Sequence, residues 1–151
     1  MTKKSIVFIC ICLFIIFAIA LTSCMSSTLI EKNVRARLKD EGYSVKNITS
    51  CAITNGWNEP AEEGTNVTKY KLLSQLYCTK EPIEDEDGNV ISYKYNCWVV
   101  YCSNDDSFKW VENNAKEQSK DSGYTYYSYN NGNTKVVIYG DLDSVRIARQ
   151  Y

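Results

Sequence analysis

The order of apolar and polar positions divides this chain into segments of different period. From Ile6 to Leu21 every residue is apolar, with no alternation. Beyond it the pattern turns amphipathic. Ile30, Val34 and Leu38 recur every fourth residue and form one stripe of a helix. Thr28 and Glu31 have the spacing of a capping box, in which each side chain satisfies the other's free backbone N–H. Gly42 is placed to close the helix in a left-handed cap. A helix over residues 29–41 with one buried face follows.

The period then drops to two. Tyr43 to Ile53 is β-branched and partly alternating, with an irregularity at Asn47-Ile48, and reads as a first strand. Residues 54–65 carry Asn55-Gly56, Pro60 and Gly64 and read as a loop. Trp57 lies in it, either folded back onto the core or exposed as a contact residue. Thr68 to Thr79 alternates, with Tyr70, Leu72, Leu76 and Cys78 on one face. Val90 to Cys102 alternates as well, with Ile91, Tyr93, Tyr95, Cys97, Val99 and Tyr101 on one face and Val90, Trp98, Val100 and Cys102 on the other. A strand apolar on both faces belongs in the middle of a sheet.

Asp87-Gly88 between these two runs is a hairpin tip. In that register Cys78 faces Cys97, and Pro82 falls at a ladder position, which favours a longer loop. The acidic stretch Glu84-Asp85-Glu86-Asp87 invites a calcium reading, but the spacing refuses it. With Gly88 as the sixth loop position, the first and twelfth would be Ile83 and Lys94, neither a ligand.

Asp105 to Lys120 supports either a second helix, capped by Asp106 or Ser107 with Phe108, Val111 and Ala115 on one face, or a β continuation through Phe108 and Trp110. Tyr124–Tyr129 and Thr134–Tyr139 around Asn130-Asn131-Gly132-Asn133 form a hairpin. Val145, Ile147 and Ala148 suggest a last short strand. The fold class is therefore α+β: an N-terminal helix packed on an antiparallel sheet of about five or six strands, with room for a second helix. Such a helix-plus-curved-sheet domain looks like the cystatin-like and nuclear-transport-factor-like domains, a likeness of architecture that carries no function.

The first segment changes the picture. At about 1.5 Å per residue its 16 apolar residues cover roughly 24 Å, short of a hydrocarbon core about 30 Å thick. Lys3 and Lys4 precede it and small residues follow, the layout of an export signal. Its exit, Leu21-Thr22-Ser23-Cys24, resembles the lipobox of bacterial lipoproteins. The resemblance covers residues 1–24 alone. It implies a diacylglycerol on the Cys24 thiol, cleavage after Ser23 and acylation of the new amino terminus. Several acyl chains hold a protein on a bilayer far better than one. The competing reading is an uncleaved single-pass anchor. In both, residues 25 onward lie outside the cytoplasm, because basic flanks stay inside. The division is then a signal peptide over 1–23, a lipidated terminus and very short tether over 24–28, and one globular domain over 29–151.

Charge and cysteine content follow from that division. Residues 1–23 take Lys3 and Lys4 from 17 basic residues and nothing from 18 acidic ones, so the remainder carries −3. A nucleic-acid partner would need a basic stripe that is not there. Cys10 and Cys12 sit inside the apolar run as small hydrophobes. Cys51, Cys78, Cys97 and Cys102 remain, and an even number outside the cytoplasm reads as two disulfides. Cys97 and Cys102, five apart on one strand, point to opposite faces and cannot bridge each other. Cys78–Cys97 with Cys51–Cys102 is the expected pairing.

The chain contains no histidine, which removes the Ser-His-Asp and Cys-His arrangements and the usual zinc sets. Glu59, Glu62, Glu63, Asp105, Asp106, Asp141 and Asp143 could supply an acid pair for a hydrolase, though solvated turn acids are the plainer reading. Tyr124, Tyr126, Tyr127 and Tyr129 crowd one strand, and tyrosine with serine and asparagine makes adaptable contact surfaces. Cross-strand packing is their structural alternative. The expected function is that of an exported lipoprotein with no cofactor and no catalytic role. It would serve as a binding or interaction module for an envelope or extracellular protein or glycan, or alternatively as a structural envelope component.

Overall fold

The computed structural model describes residues 27–55 and 71–150. The signal segment, Cys24, the loop with Trp57, Glu59, Glu62 and Glu63, and Tyr70 lie outside the described residues.

The first helix, α1 (Ser27–Asp40), begins earlier than the capping box implied. Glu31 is therefore inside the helix, and its carboxylate is taken by Arg35, 2.8 Å away, and by the Ser74 hydroxyl rather than by a cap. Ile30, Val34 and Leu38 are buried as their spacing requires. Gly42 closes the helix at φ 85. There Tyr43 N–H donates to the Leu38 carbonyl and Gly42 N–H to that of Lys39, both at 2.9 Å, the Schellman arrangement.

The first strand, β1 (Ser44–Asn47), is much shorter than expected. It ends at the irregularity Asn47-Ile48, and the chain forms a single 3-10 turn at Ala52–Thr54 instead of continuing to Ile53. Polar contacts hold that turn: Thr54 Oγ1 donates to Gln75 Oε1 at 2.7 Å, and Gln75 Nε2 donates to the Thr49 carbonyl at 2.6 Å.

Two long strands, β2 (Leu72–Glu84) and β3 (Val90–Cys102), form the central hairpin. Cys78 pairs with Cys97 and Pro82 with Tyr93, the register expected from the Asp-Gly tip. The ladder slips by one residue between Ile83 and Glu84, which leaves a five-residue loop. A second irregularity between Leu72 and Ser74 turns Leu72 to the face opposite Leu76 and Cys78, against the expected shared face.

The rival readings of residues 105–120 resolve to a helix, α2 (Asp105–Ser122). Its cap is Asn104, two and three residues before the expected Asp106 and Ser107, and its Oδ1 accepts from Ser107 N–H at 2.8 Å. The last hairpin comprises β4 (Thr125–Asn130) and β5 (Lys135–Gly140). The expected final strand is instead a short helix, α3 (Leu142–Ala148). Asp141 caps it by accepting from Ser144 N–H at 3.0 Å, and Val145 and Ala148, three apart, form its buried stripe.

All strand pairs are antiparallel, in the order β1-β2-β3-β5-β4. β3 lies in the middle, as its two apolar faces require. Ile30, Val34 and Leu38 of α1 and Val145 and Ala148 of α3 pack on Leu76, Cys78, Cys97, Val99, Tyr101, Val136 and Ile138. On the opposite face Phe108, Val111 and Ala115 of α2 pack, with Ile53, on Val100, Cys102, Val137 and Tyr139. The result is three layers, helix–sheet–helix, with the sheet buried on both sides. Each fully buried aliphatic side chain in these layers contributes about 1.5–3 kcal/mol relative to exposure.

Candidate functional site

The β4 tyrosines do not form one surface. Tyr124 and Tyr126 pack toward the α2 layer and Tyr127 and Tyr129 toward α1 and α3, all of them half-buried. Strand alternation separates them. Arg149 lies over the Tyr127 ring, 5.9 Å from its centroid.

A different aromatic group crosses the sheet. Tyr77 stacks on Trp98 at 5.3 Å and Trp98 on Tyr139 at 5.7 Å. Tyr93 meets Tyr77 edge to face, and Tyr124 meets Trp98 and Tyr139 in the same way. These rings spend their faces on one another, so the group works as cross-strand packing. A sugar or base would need a free ring face, and Trp98 is sandwiched between Tyr77 and Tyr139.

The four cysteines are free thiols and sort by face. Cys78 and Cys97 are fully buried in the α1/α3 layer, opposite each other in the ladder. Cys102 lies in the α2 layer, with Cys51 packed against the same cluster. The neighbouring Cys78 thiol and burial push Cys97 well up from the usual thiol range. Burial raises Cys51, and it pushes Cys102 up to about 12. Such thiols are poor nucleophiles.

The acid candidates serve the fold. Asp105 and Asp106 stand in the first turn of α2, where carboxylates favour the helix dipole, and Asp105 also faces Lys135 at 3.5 Å. Asp141 is a cap, and exposed Asp143 reaches Arg146 at 3.9 Å. Among the described residues no cluster of three or more acids or cysteines could hold a metal.

What pairing density in the sheet reveals, and sequence reasoning missed, is an arm. β1 pairs with β2 only over Leu76–Thr79, and β5 pairs with β3 only over Cys97–Cys102. The β2–β3 hairpin therefore continues past both neighbours as a two-stranded ribbon. Five residues, Lys80–Glu84, carry it about 16 Å beyond the sheet at roughly 3.3 Å each. Ile83, Val90 and Ile91 are 43, 49 and 67 % exposed on it. Its tip is knotted by Asp85, whose Oδ1 accepts from Asp87 N–H at 3.0 Å and Asn89 N–H at 2.8 Å. Those bonds, Asn89's first, hold the Asp85 carboxyl below its usual range. Two strands of 13 residues beside neighbours of four and six were the available signal, but it needs the neighbours' lengths before it can be read.

Comparison with family models, with curated proteins and with solved structures found no match. Among the described residues no helix is long and apolar enough to cross a membrane.

Proposed function

We propose that this chain is an exported, lipid-anchored interaction module. Cys24 holds it on a membrane, and the β2–β3 arm meets a partner in the envelope or outside the cell. The arm is the observation that carries the interaction role. Ile83, Val90 and Ile91 keep roughly half of their surface in water and forgo a corresponding part of the roughly 1.5–3 kcal/mol that full burial returns to each. They lie together at the exposed end of the ribbon, and a partner surface is the place where that burial is recovered. The tether rests on Leu21-Thr22-Ser23-Cys24 and the apolar run before it.

Photo-crosslinking in cells tests the role. A benzophenone amino acid replaces Ile91 on the arm or, as control, exposed Lys116 on α2. A discrete adduct from position 91 that is missing from position 116 is expected. No adduct at 91, or the same adducts from both positions, would refute an interaction role for the arm.

A further inference from the structure

The two edges of the arm are built differently. On the β2 edge Glu81, whose main-chain groups face outward as those of Gln75 do, is held at φ 59, in the left-handed region. That departure from extended backbone opposes pairing with another chain. The β3 edge has no such residue. Val90, Ile91, Ser92, Tyr93 and Lys94 contain no proline and no positive φ, and all but half-buried Tyr93 are exposed. The same edge is occupied nearer the sheet. β5 fills it to Cys97, opposite Gly140. Asp141 then seals Asn96: its N–H donates to the Asn96 carbonyl at 3.0 Å, and its carboxylate accepts from Asn96 N–H. Open edge begins just beyond that seal, collinear with β5.

We propose that the β3 edge over Val90–Lys94 accepts an extended, basic segment of a partner protein as an added strand. This rests on the interaction role proposed above and names the partner's chemistry. Main-chain hydrogen bonds would supply affinity, as in other strand additions. Val90 and Ile91, both exposed, flank the slip in the ladder, so apolar side chains of the incoming strand meet an aliphatic neighbour there. Charge decides the occupant. The arm carries Glu81, Glu84, Asp85, Glu86 and Asp87 against Lys80 and Lys94. Lys94 is already committed to Glu81 at 3.4 Å, and among the described residues no cation pairs with Glu84, Glu86 or Asp87. A second copy is disfavoured on the same ground. Antiparallel pairing of two such edges would bring each acidic tip toward the other copy's Asp141 and Asp143.

The test uses the full chain in nonionic detergent and labelled synthetic peptides: an alternating Lys-Val peptide, its Glu-Val counterpart, and the Lys-Val peptide with a central proline. Fluorescence anisotropy should show the basic peptide binding at least about tenfold more tightly than either control, a margin of about 1.4 kcal/mol. Its affinity should fall as salt screens the tip, and hydrogen exchange should slow at the amides of residues 90–94. Two variants isolate the parts. Glu84→Lys with Glu86→Lys should reverse the charge preference. Ser92→Pro should abolish binding, because Ser92, like Asn96, turns its N–H to the outer edge, whereas the ladder to β2 runs through Tyr93 and Tyr95. Unchanged tryptophan fluorescence confirms that each variant is folded. Equal binding of the acidic peptide, indifference to the proline, protection at β4 instead, or a concentration-dependent dimer that protects this edge would each overturn the proposal. An adduct from position 91 in cells with no peptide binding would remove this inference alone, and the loss of both would remove the interaction role.

Discussion

Adding one methyl group at Gly140 probes how tightly the arm's root is built. Gly140 ends β5 opposite Cys97, where the β2–β3 ribbon leaves the sheet. A Cβ there would stand 2.3 Å from the Asn96 carbonyl oxygen, 2.5 Å from Cys97 Cα and 2.6 Å from Cys97 Cβ. Carbon atoms in contact prefer about 3.5–4.0 Å, so roughly 1 Å of separation has to be found. Two of the three obstacles are β3 main chain, which cannot swing aside. Overpacking costs typically about 1–3 kcal/mol, and obstruction by backbone in a central ladder places Gly140→Ala at the upper end, near 3 kcal/mol. That is a large share of the roughly 5–15 kcal/mol that holds a domain of this size together. Gly88→Ala is the reference. Gly88 sits at φ 82 with nothing within 4 Å of an added Cβ, so it loses only the left-handed preference, about 1–2 kcal/mol. Urea unfolding followed by tryptophan fluorescence, with matched slopes, reads both. A Gly140→Ala cost no larger than that of Gly88→Ala would refute the close approach of β5 to β3.

Other consequences can be measured on the same preparations. Asp141→Ala removes the acceptor for Ser144 N–H, Ser144 Oγ and Asn96 N–H and should cost about 2 kcal/mol in urea. Asp143→Ala, which loses only a solvent-exposed contact to Arg146, should stay within about 0.5 kcal/mol; equal costs would contradict the capping role. We further propose that on export Cys78 bridges Cys97 and Cys51 bridges Cys102. Each pair of thiols would pass two protons and two electrons to the disulfide of an exchange partner. Peptide mapping of non-reduced protein at acid pH should find those two links, and any link between the two faces would contradict the arrangement. Alkaline stability separates the redox states. Burial pushes Cys102 up to about 12 and raises Tyr101 from its ordinary value. Above the unfolded thiol's pKa of about 8.5 the unfolded chain binds fewer protons than the folded one, so stability falls as pH rises, by about 1.4 kcal/mol per pH unit for each such group. Urea midpoints of the reduced protein should therefore drop between about pH 9 and pH 12, beginning with its thiols. A bridged protein, with no Cys102 thiol to ionise, should begin to drop only near the tyrosine range, and a reduced protein that behaves identically would contradict the burial of Cys102.

Elements whose evidence is local were legible in the sequence. The stripe Ile30-Val34-Leu38 ending at Gly42 gave α1, Asn131-Gly132 gave the β4–β5 hairpin, and the two apolar faces of β3 placed it centrally. The Cys78–Cys97 register followed from Asp87-Gly88 because the slip in the ladder is confined to the tip. The misses share a cause in tertiary contact. The segment after Asn47 is β-prone, but Gln75 holds Thr54 and the Thr49 carbonyl and closes a turn instead. Val145, Ile147 and Ala148 fit a strand or a helix, and the Asp141 cap decides for the helix. The tyrosines from Tyr124 to Tyr129 fitted either a contact surface or cross-strand packing, and the two covered faces of the sheet favour packing. The arm was invisible because it is a difference in length between neighbours.

The central claim is a domain displayed outside the cytoplasm on a lipid anchor, and the intact mass of the protein extracted from membranes addresses it most directly. The account predicts a chain that begins at Cys24, heavier than residues 24–151 by two or three acyl chains and a glycerol. A mass that still contains residues 1–23 and carries no lipid would contradict it and leave the Ile6–Leu21 run as the anchor.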